Sequence, residues 1–158
     1  MKSAMKPGVW LGILVGFWTL VMGLTGWYKN PALVNVFYVV ILIEIGVLIW
    51  GLKKTAAENT YWKQVGAGTL IAVIGSVIIF FVSILFTTVL YPNYFAELQT
   101  IQEQMLRQKG RTEAEIKMAL DAARATGTPL INALMGVVGT VVSGFVASLV
   151  IGAFFRKK

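Results

Sequence analysis

The sequence predicts an all-α polytopic membrane protein: four transmembrane helices, with an extracytoplasmic helical hairpin between the third and the fourth. Three observations carry this expectation. Of 158 residues, 57% are hydrophobic and only 13% are charged, whereas a soluble domain carries about 25% charged residues. The charges cluster between four long apolar runs, each near the ~20 residues that cross a bilayer as a helix. In the last run, Gly136, Thr140, Gly144, Ser148 and Gly152 recur at every fourth position. That spacing gathers small residues on one helical face, where a second backbone can approach closely.

The first run covers residues 8–28 and follows Lys2, Lys6 and Pro7. It exceeds the ~7–15-residue apolar core of a signal peptide and shows no convincing Ala-x-Ala site, so a retained span is expected. Gly8, Gly12 and Gly16 line one of its faces. The second run, residues 32–52, follows the short Lys29-Asn30-Pro31 turn, so the first two spans form a hairpin. A polar linker, Lys53 to Gln64, leads to the third run, residues 65–91, which carries Gly68, Ala72 and Ser76 on one face and stops at Pro92. The fourth run, residues 130–155, adds a second ridge of Gly139, Ser143 and Ala147 and closes with Arg156, Lys157 and Lys158. Two adjacent small-residue ridges suggest contact with more than one helix. The whole chain reads as a single membrane domain.

Residues 93–128 form the one sizeable polar region and read as a helical hairpin. Tyr94, Leu98, Ile101 and Met105 recur at helical spacing, and Lys109-Gly110 supplies a basic end and a C-terminal glycine. Thr112 and Glu115 have capping-box spacing, with Glu113 in the same first turn. Ile116, Ala119, Leu120 and Ala123 line the second helix, and Gly127 and Pro129 end it. Glu103–Arg107 and Glu113–Lys117 are favourable pairs four residues apart.

Basic residues near span ends mark the cytoplasmic side. One side carries Lys2, Lys6, Lys53, Lys54, Lys63, Arg156, Lys157 and Lys158 against the single acid Glu58. The other carries Lys29, Arg107, Lys109, Arg111, Lys117 and Arg124 against Glu97, Glu103, Glu113, Glu115 and Asp121. Both termini are therefore expected in the cytoplasm and the hairpin outside. Trp50, Tyr61 and Trp62 fall at the first side and Trp27, Tyr28, Tyr91 and Tyr94 at the second, as interfacial aromatic residues do. The net charge of +7 is explained by bases beside the spans, where they meet anionic membrane lipid. No basic run interleaved with aromatics points to nucleic acid.

The chain has no Cys and no His, which removes disulfides, thiolate chemistry, imidazole metal ligation and His-based catalysis. There is no P-loop, dinucleotide fingerprint, HExxH or nucleophile elbow, so no enzyme is expected. Nothing selects a cofactor. The sharpest local feature is Glu44, near the middle of the second span within Ile41-Leu42-Ile43-Glu44-Ile45. A carboxylate at the bilayer centre costs ~2.5–3.5 kcal/mol on insertion scales, and an acid there is a candidate for a functional site. No Lys, Arg or His lies at matching depth, whereas Thr19, Ser76, Thr140 and Ser143 do and can hydrogen-bond it. Glu44 reads either as a proton- or cation-carrying group or as a neutral side chain gluing two helices.

The segment Tyr61-Trp62-Lys63-Gln64-Val65-Gly66, the Tyr91-Pro92 stop, the hairpin motif Gly110-Arg111-Thr112-Glu113-Ala114-Glu115-Ile116 and the glycine-rich last span ending in Arg156-Lys157-Lys158 together resemble a known family, domain of unknown function 4199. The resemblance spans nearly the whole chain and implies a four-span protein of the bacterial inner membrane. It implies no activity, ligand or site residue. The favoured expectation is a structural, accessory or assembly subunit of a larger bacterial membrane complex. It would act through helix packing and the exposed hairpin, with other membrane subunits or a second copy as partner. The alternative is a small proton- or ion-coupled transporter centred on Glu44.

Overall fold

A computed structural model describes residues 2–30 and 32–157. Pro31 of the expected turn and Lys158 of the basic end lie outside the described residues. Six α-helices follow in order: α1 (Lys2–Thr25), α2 (Val39–Lys53), α3 (Tyr61–Leu85), α4 (Tyr94–Gln108), α5 (Glu113–Thr126) and α6 (Pro129–Phe154). A 3-10 turn at Val34–Tyr38 leads into α2, and a π-helical turn at Phe86–Leu90 extends α3. No strand occurs among the described residues. Among the described residues, four helices are long and apolar enough to cross a membrane, over Ser3–Thr25, Asn35–Lys53, Tyr61–Leu90 and Pro129–Phe154.

Two spans begin earlier than the apolar pattern indicates. Helix α1 runs through Pro7 rather than starting after it. Proline inside a helix removes a backbone hydrogen bond, but Pro7 is fully buried and lies against Gly51 of α2, so packing overrides the local signal. Helix α3 begins at Tyr61, four residues before the expected start, after Thr60 in an extended conformation. Helix α1 ends at Gly26, whose φ of 68° suits a residue without a Cβ.

Helix α3 is the centre of the bundle, with its largest interfaces against α6 and α1. The glycines of α1 lie against β-branched residues of α3: Gly8 on Ile74, Gly12 on Ile78 and Gly16 on Val82. The constant offset of 66 residues means that the two helices run parallel. A Cβ on Gly8 would stand 2.6 Å from Ile74 Cβ, and one on Gly12 2.5 Å from Ile78 Cβ. Against α6 the register is antiparallel: Gly68 faces Ser148, Ala72 faces Gly144, and Gln64 faces Gly152. Leu11, Val15, Val47, Leu48, Leu52 and Ile71 form the heart of the apolar core between these seams. Phe17, Leu24, Leu42, Phe81, Val150 and Phe154 are exposed around the outside, an apolar surface of the kind that marks a membrane- or protein-facing belt.

The start of α1, the linker after α2 and the end of α6 share one end of the bundle, where Lys157 N–H donates to the Asn59 carbonyl at 2.8 Å. The hairpin and the connection after α1 share the other end. There Tyr28 O–H donates to Glu97 Oε2 at 2.5 Å, and Lys29 Nζ pairs with Glu97 Oε1 at 3.0 Å. Within the hairpin, Gly110 (φ 67°) ends α4 with Arg111 N–H on the Leu106 carbonyl and Gly110 N–H on that of Arg107, a Schellman turn. The expected capping box is present, with Glu115 N–H on Thr112 Oγ1 at 3.3 Å and Thr112 N–H on Glu115 Oε2 at 2.9 Å. The Glu103–Arg107 pair forms at 2.9 Å. The expected Glu113–Lys117 pair does not, because Arg107 reaches across the turn and takes Glu113.

Candidate functional site

Glu44 is 4% exposed. Its environment is built by α6, whose Ser143 lies on one ridge and Gly144 on the next. Ser143 Oγ is 2.5 Å from Glu44 Oε2. Glu44 Oε1 is buried and has no hydrogen-bond partner among the described residues. Gly144 makes room for it, since a Cβ at that position would stand 2.9 Å from Oε1 while also striking Ala72 of α3. One glycine thus admits both the neighbouring helix and the carboxyl group.

Ser143 Oγ also lies 2.8 Å from the Gly139 carbonyl and 3.2 Å from that of Thr140. A hydroxyl has one hydrogen to give and lone pairs to receive with. With Glu44 ionised, Ser143 donates to the carboxylate. With Glu44 protonated, the carboxyl O–H donates to Ser143 Oγ, and the serine hydrogen turns to the Gly139 carbonyl. The same side chain satisfies Oε2 in either protonation state.

Glu44 lies on the wall of a half-open chamber of about 410 Å³ between α1, α2, α3 and α6. Its wall is mainly apolar, with Thr19, Ser83, Thr87, Asn132 and Thr140 as the other hydrogen-bonding side chains besides two tyrosines. A second cavity of about 330 Å³ shares Thr19, Phe37, Tyr38, Phe86, Tyr94 and Asn132 with it and reaches Tyr28 and Leu98 beneath the hairpin. The space therefore leads from Glu44 toward the hairpin end. The π-helical turn supplies Phe86 and Thr87 to its wall, and π turns recur at functional sites.

Of the four hydroxyl residues expected near Glu44, only Ser143 bonds it. Thr140 and Thr19 line the chamber, and Thr19 Oγ1 donates to the Val15 carbonyl of its own helix at 3.0 Å. Ser76 is buried and donates to the Val73 carbonyl at 2.8 Å, away from the chamber wall. Residues at a similar height along the bundle need not meet, because rotation about each helix axis decides the partner. The packing residues divide as well. Gly8, Gly12, Gly16, Gly68, Ala72, Gly144, Ser148 and Gly152 all meet a neighbouring helix. A Cβ on Gly136 or Gly139 would meet nothing within 4 Å. These two open onto the chamber and do not seat a helix, because the space opposite them is the cavity itself.

Gln64 is the residue that motif reading passes over. It is 0% exposed, and both ends of its amide are used. Oε1 accepts from Thr55 Oγ1 at 2.8 Å and Asn59 Nδ2 at 3.3 Å, while Nε2 donates to the Leu52 carbonyl at 2.9 Å and to that of Phe155. It ties the ends of α2 and α6 and the intervening linker at the end opposite the hairpin. A signal for it exists: Gln64 stands four residues before Gly68 and eight before Ala72, on the face that packs against α6. Asn132 extends the α6 ladder in the same way, and its Nδ2 donates to Ser83 Oγ at 3.1 Å. Among the described residues, no group of three His, Cys, Asp or Glu side chains is placed to hold a metal.

Fold and site together define an all-helical chain whose four long apolar helices, among the described residues, border a half-open chamber with one buried carboxyl group. The chain belongs to the family described as protein of unknown function (DUF4199), whose model matches residues 6–157, as the motifs from Tyr61 onward imply. No curated protein and no solved structure matches it.

Proposed function

We propose that this protein is a small integral protein of the bacterial inner membrane. It binds a compact, largely apolar solute in the chamber and couples the solute's passage to a proton carried by Glu44. The single observation behind this reading is Glu44, an acid on the wall of an otherwise uncharged apolar chamber, whose Oε1 is buried toward Gly144 without a hydrogen-bond partner among the described residues. A buried polar atom left unpaired is costly, and more so when it carries charge, so a proton on the carboxyl group eases its burial. Ser143 supports the proton role by serving both states of the carboxyl group. The distribution of bases supports cytoplasmic termini and an extracytoplasmic hairpin, which gives the chamber its approach from outside.

The other reading is a structural or accessory subunit acting through helix packing and the exposed hairpin; eight of the ten packing positions are used within this chain, which leaves the hairpin as its docking element. The test is proton movement in liposomes loaded with a pH dye and challenged with amines, alcohols and carboxylates of similar size. The wild type is expected to move protons with at least one class beyond protein-free liposomes, and Glu44→Gln with none. A wild type silent toward every class would sink the proposal.

A further inference from the structure

The same chamber carries an inference about its ligand, which rests on the proposed function. We infer that the solute is an organic monocation, an amine with a compact apolar body, and that it exchanges one-for-one with the Glu44 proton. Among the described residues, Glu44 is the one charged residue lining the chamber, and no Lys, Arg or second acid accompanies it. The other titratable groups on the wall are Tyr38, ahead of α2, and Tyr94 of α4; α1, α3 and α6 contribute none. An anion would meet a like charge with nothing to offset it. A divalent metal ion would find one carboxyl group where a hard cation seeks six or more oxygen ligands. An ammonium group suits what is present: it meets the Glu44 carboxyl where that group borders the chamber, beside Ser143, whose Oγ lies 2.5 Å from Oε2.

The rest of the chamber suits the body of such a molecule. Phe37, Tyr38, Phe86 and Tyr94 ring the part nearer the hairpin, and aromatic faces attract a passing cation. A volume of about 410 Å³ lies within the ~300–1,000 Å³ range of small-molecule sites. The step balances: a neutral Glu44 carboxyl and an ammonium ion give a carboxylate–ammonium pair and one proton released to water. Proton and amine compete for the same carboxyl group, so they occupy it in turn.

Three probes with one apolar cage separate the possibilities: 1-aminoadamantane, 1-adamantanol and 1-adamantanecarboxylate. Binding is measured on the purified full chain in mild detergent, with proton release followed in weak buffer. The amine is expected to bind at least tenfold more tightly than the alcohol or carboxylate, releasing up to one proton per chain. Glu44→Gln is expected to erase that preference. Gly136→Leu, which projects into the chamber where a Cβ meets nothing, is expected to weaken binding of the amine without touching Glu44. Equal binding of alcohol or carboxylate, still sensitive to Gly136→Leu, would overturn the cation class and leave the chamber as a binding site. Binding by no probe, or binding indifferent to both substitutions, would overturn the cation class and the proposed function together.

Discussion

Glu44 and Gly144 show how much one position can decide. A Cβ at residue 144 has to displace both Ala72 and the carboxyl group, so Gly144→Ala is expected to destabilise the bundle by ~1–3 kcal/mol through overpacking. Gly136→Ala, on the same ladder, meets nothing and is expected to be neutral or to stabilise α6 by up to ~1 kcal/mol. Thermal unfolding in detergent distinguishes the two. Ser143→Ala removes the bond to a buried acceptor and is expected to cost ~1–3 kcal/mol; an unchanged transition temperature would mean that Glu44 finds another partner. At this scale the sequence reveals a buried acid by simple contrast with its apolar neighbours. It does not reveal that Gly136 faces a cavity while Gly144 faces a helix, because spacing gives a face and not what stands opposite it.

Among the elements, the hairpin is held to the bundle by Tyr28 and Lys29 acting on Glu97. Burial first, then the bond to Glu97, pushes the Tyr28 phenol up, so it remains a donor. The Tyr28 hydroxyl first, then Lys29, holds the Glu97 carboxyl below its usual range. A carboxyl group depressed in the folded state adds stability above its unfolded value, near ~4.3, and loses it as pH falls through the folded value. Protection of the α4 amides, taken relative to the intrinsic exchange rate at each pH, is therefore expected to be high at neutral pH and to fall in acid below that range. Tyr28→Phe removes the leading cause of the shift and is expected to start the loss at higher pH. Identical profiles for the two proteins would remove Tyr28 from the latch. The hairpin's turn and capping box are legible from Gly110, Thr112 and Glu115, since those signals are local. The start of α1 is not, because Pro7 is accommodated by Gly51, more than forty positions away.

At the scale of the whole molecule, four apolar runs suffice to predict four long helices, but not their order around the centre. Helix α3 takes that place because two of its faces are complementary to different neighbours: branched side chains receive the α1 glycines, and small residues receive α6. The chamber forms where those seams leave Gly136 and Gly139 unmatched. No periodicity in a single segment encodes a space shared by four of them.

At the opposite end, Gln64 holds two carbonyl groups with its nitrogen and two side-chain donors with its oxygen. The arrangement works in one orientation only, like a key with a single bitting. Gln64→Glu keeps the shape but turns an oxygen toward the Leu52 and Phe155 carbonyls, where both parties are acceptors. That end of the bundle is then expected to part, giving the chamber a second mouth on the side of the termini. A water-soluble thiol reagent added from that side should label a cysteine introduced at Thr140 faster in this variant than in the Gln64 protein. Equal rates would mean that the far door is barred elsewhere.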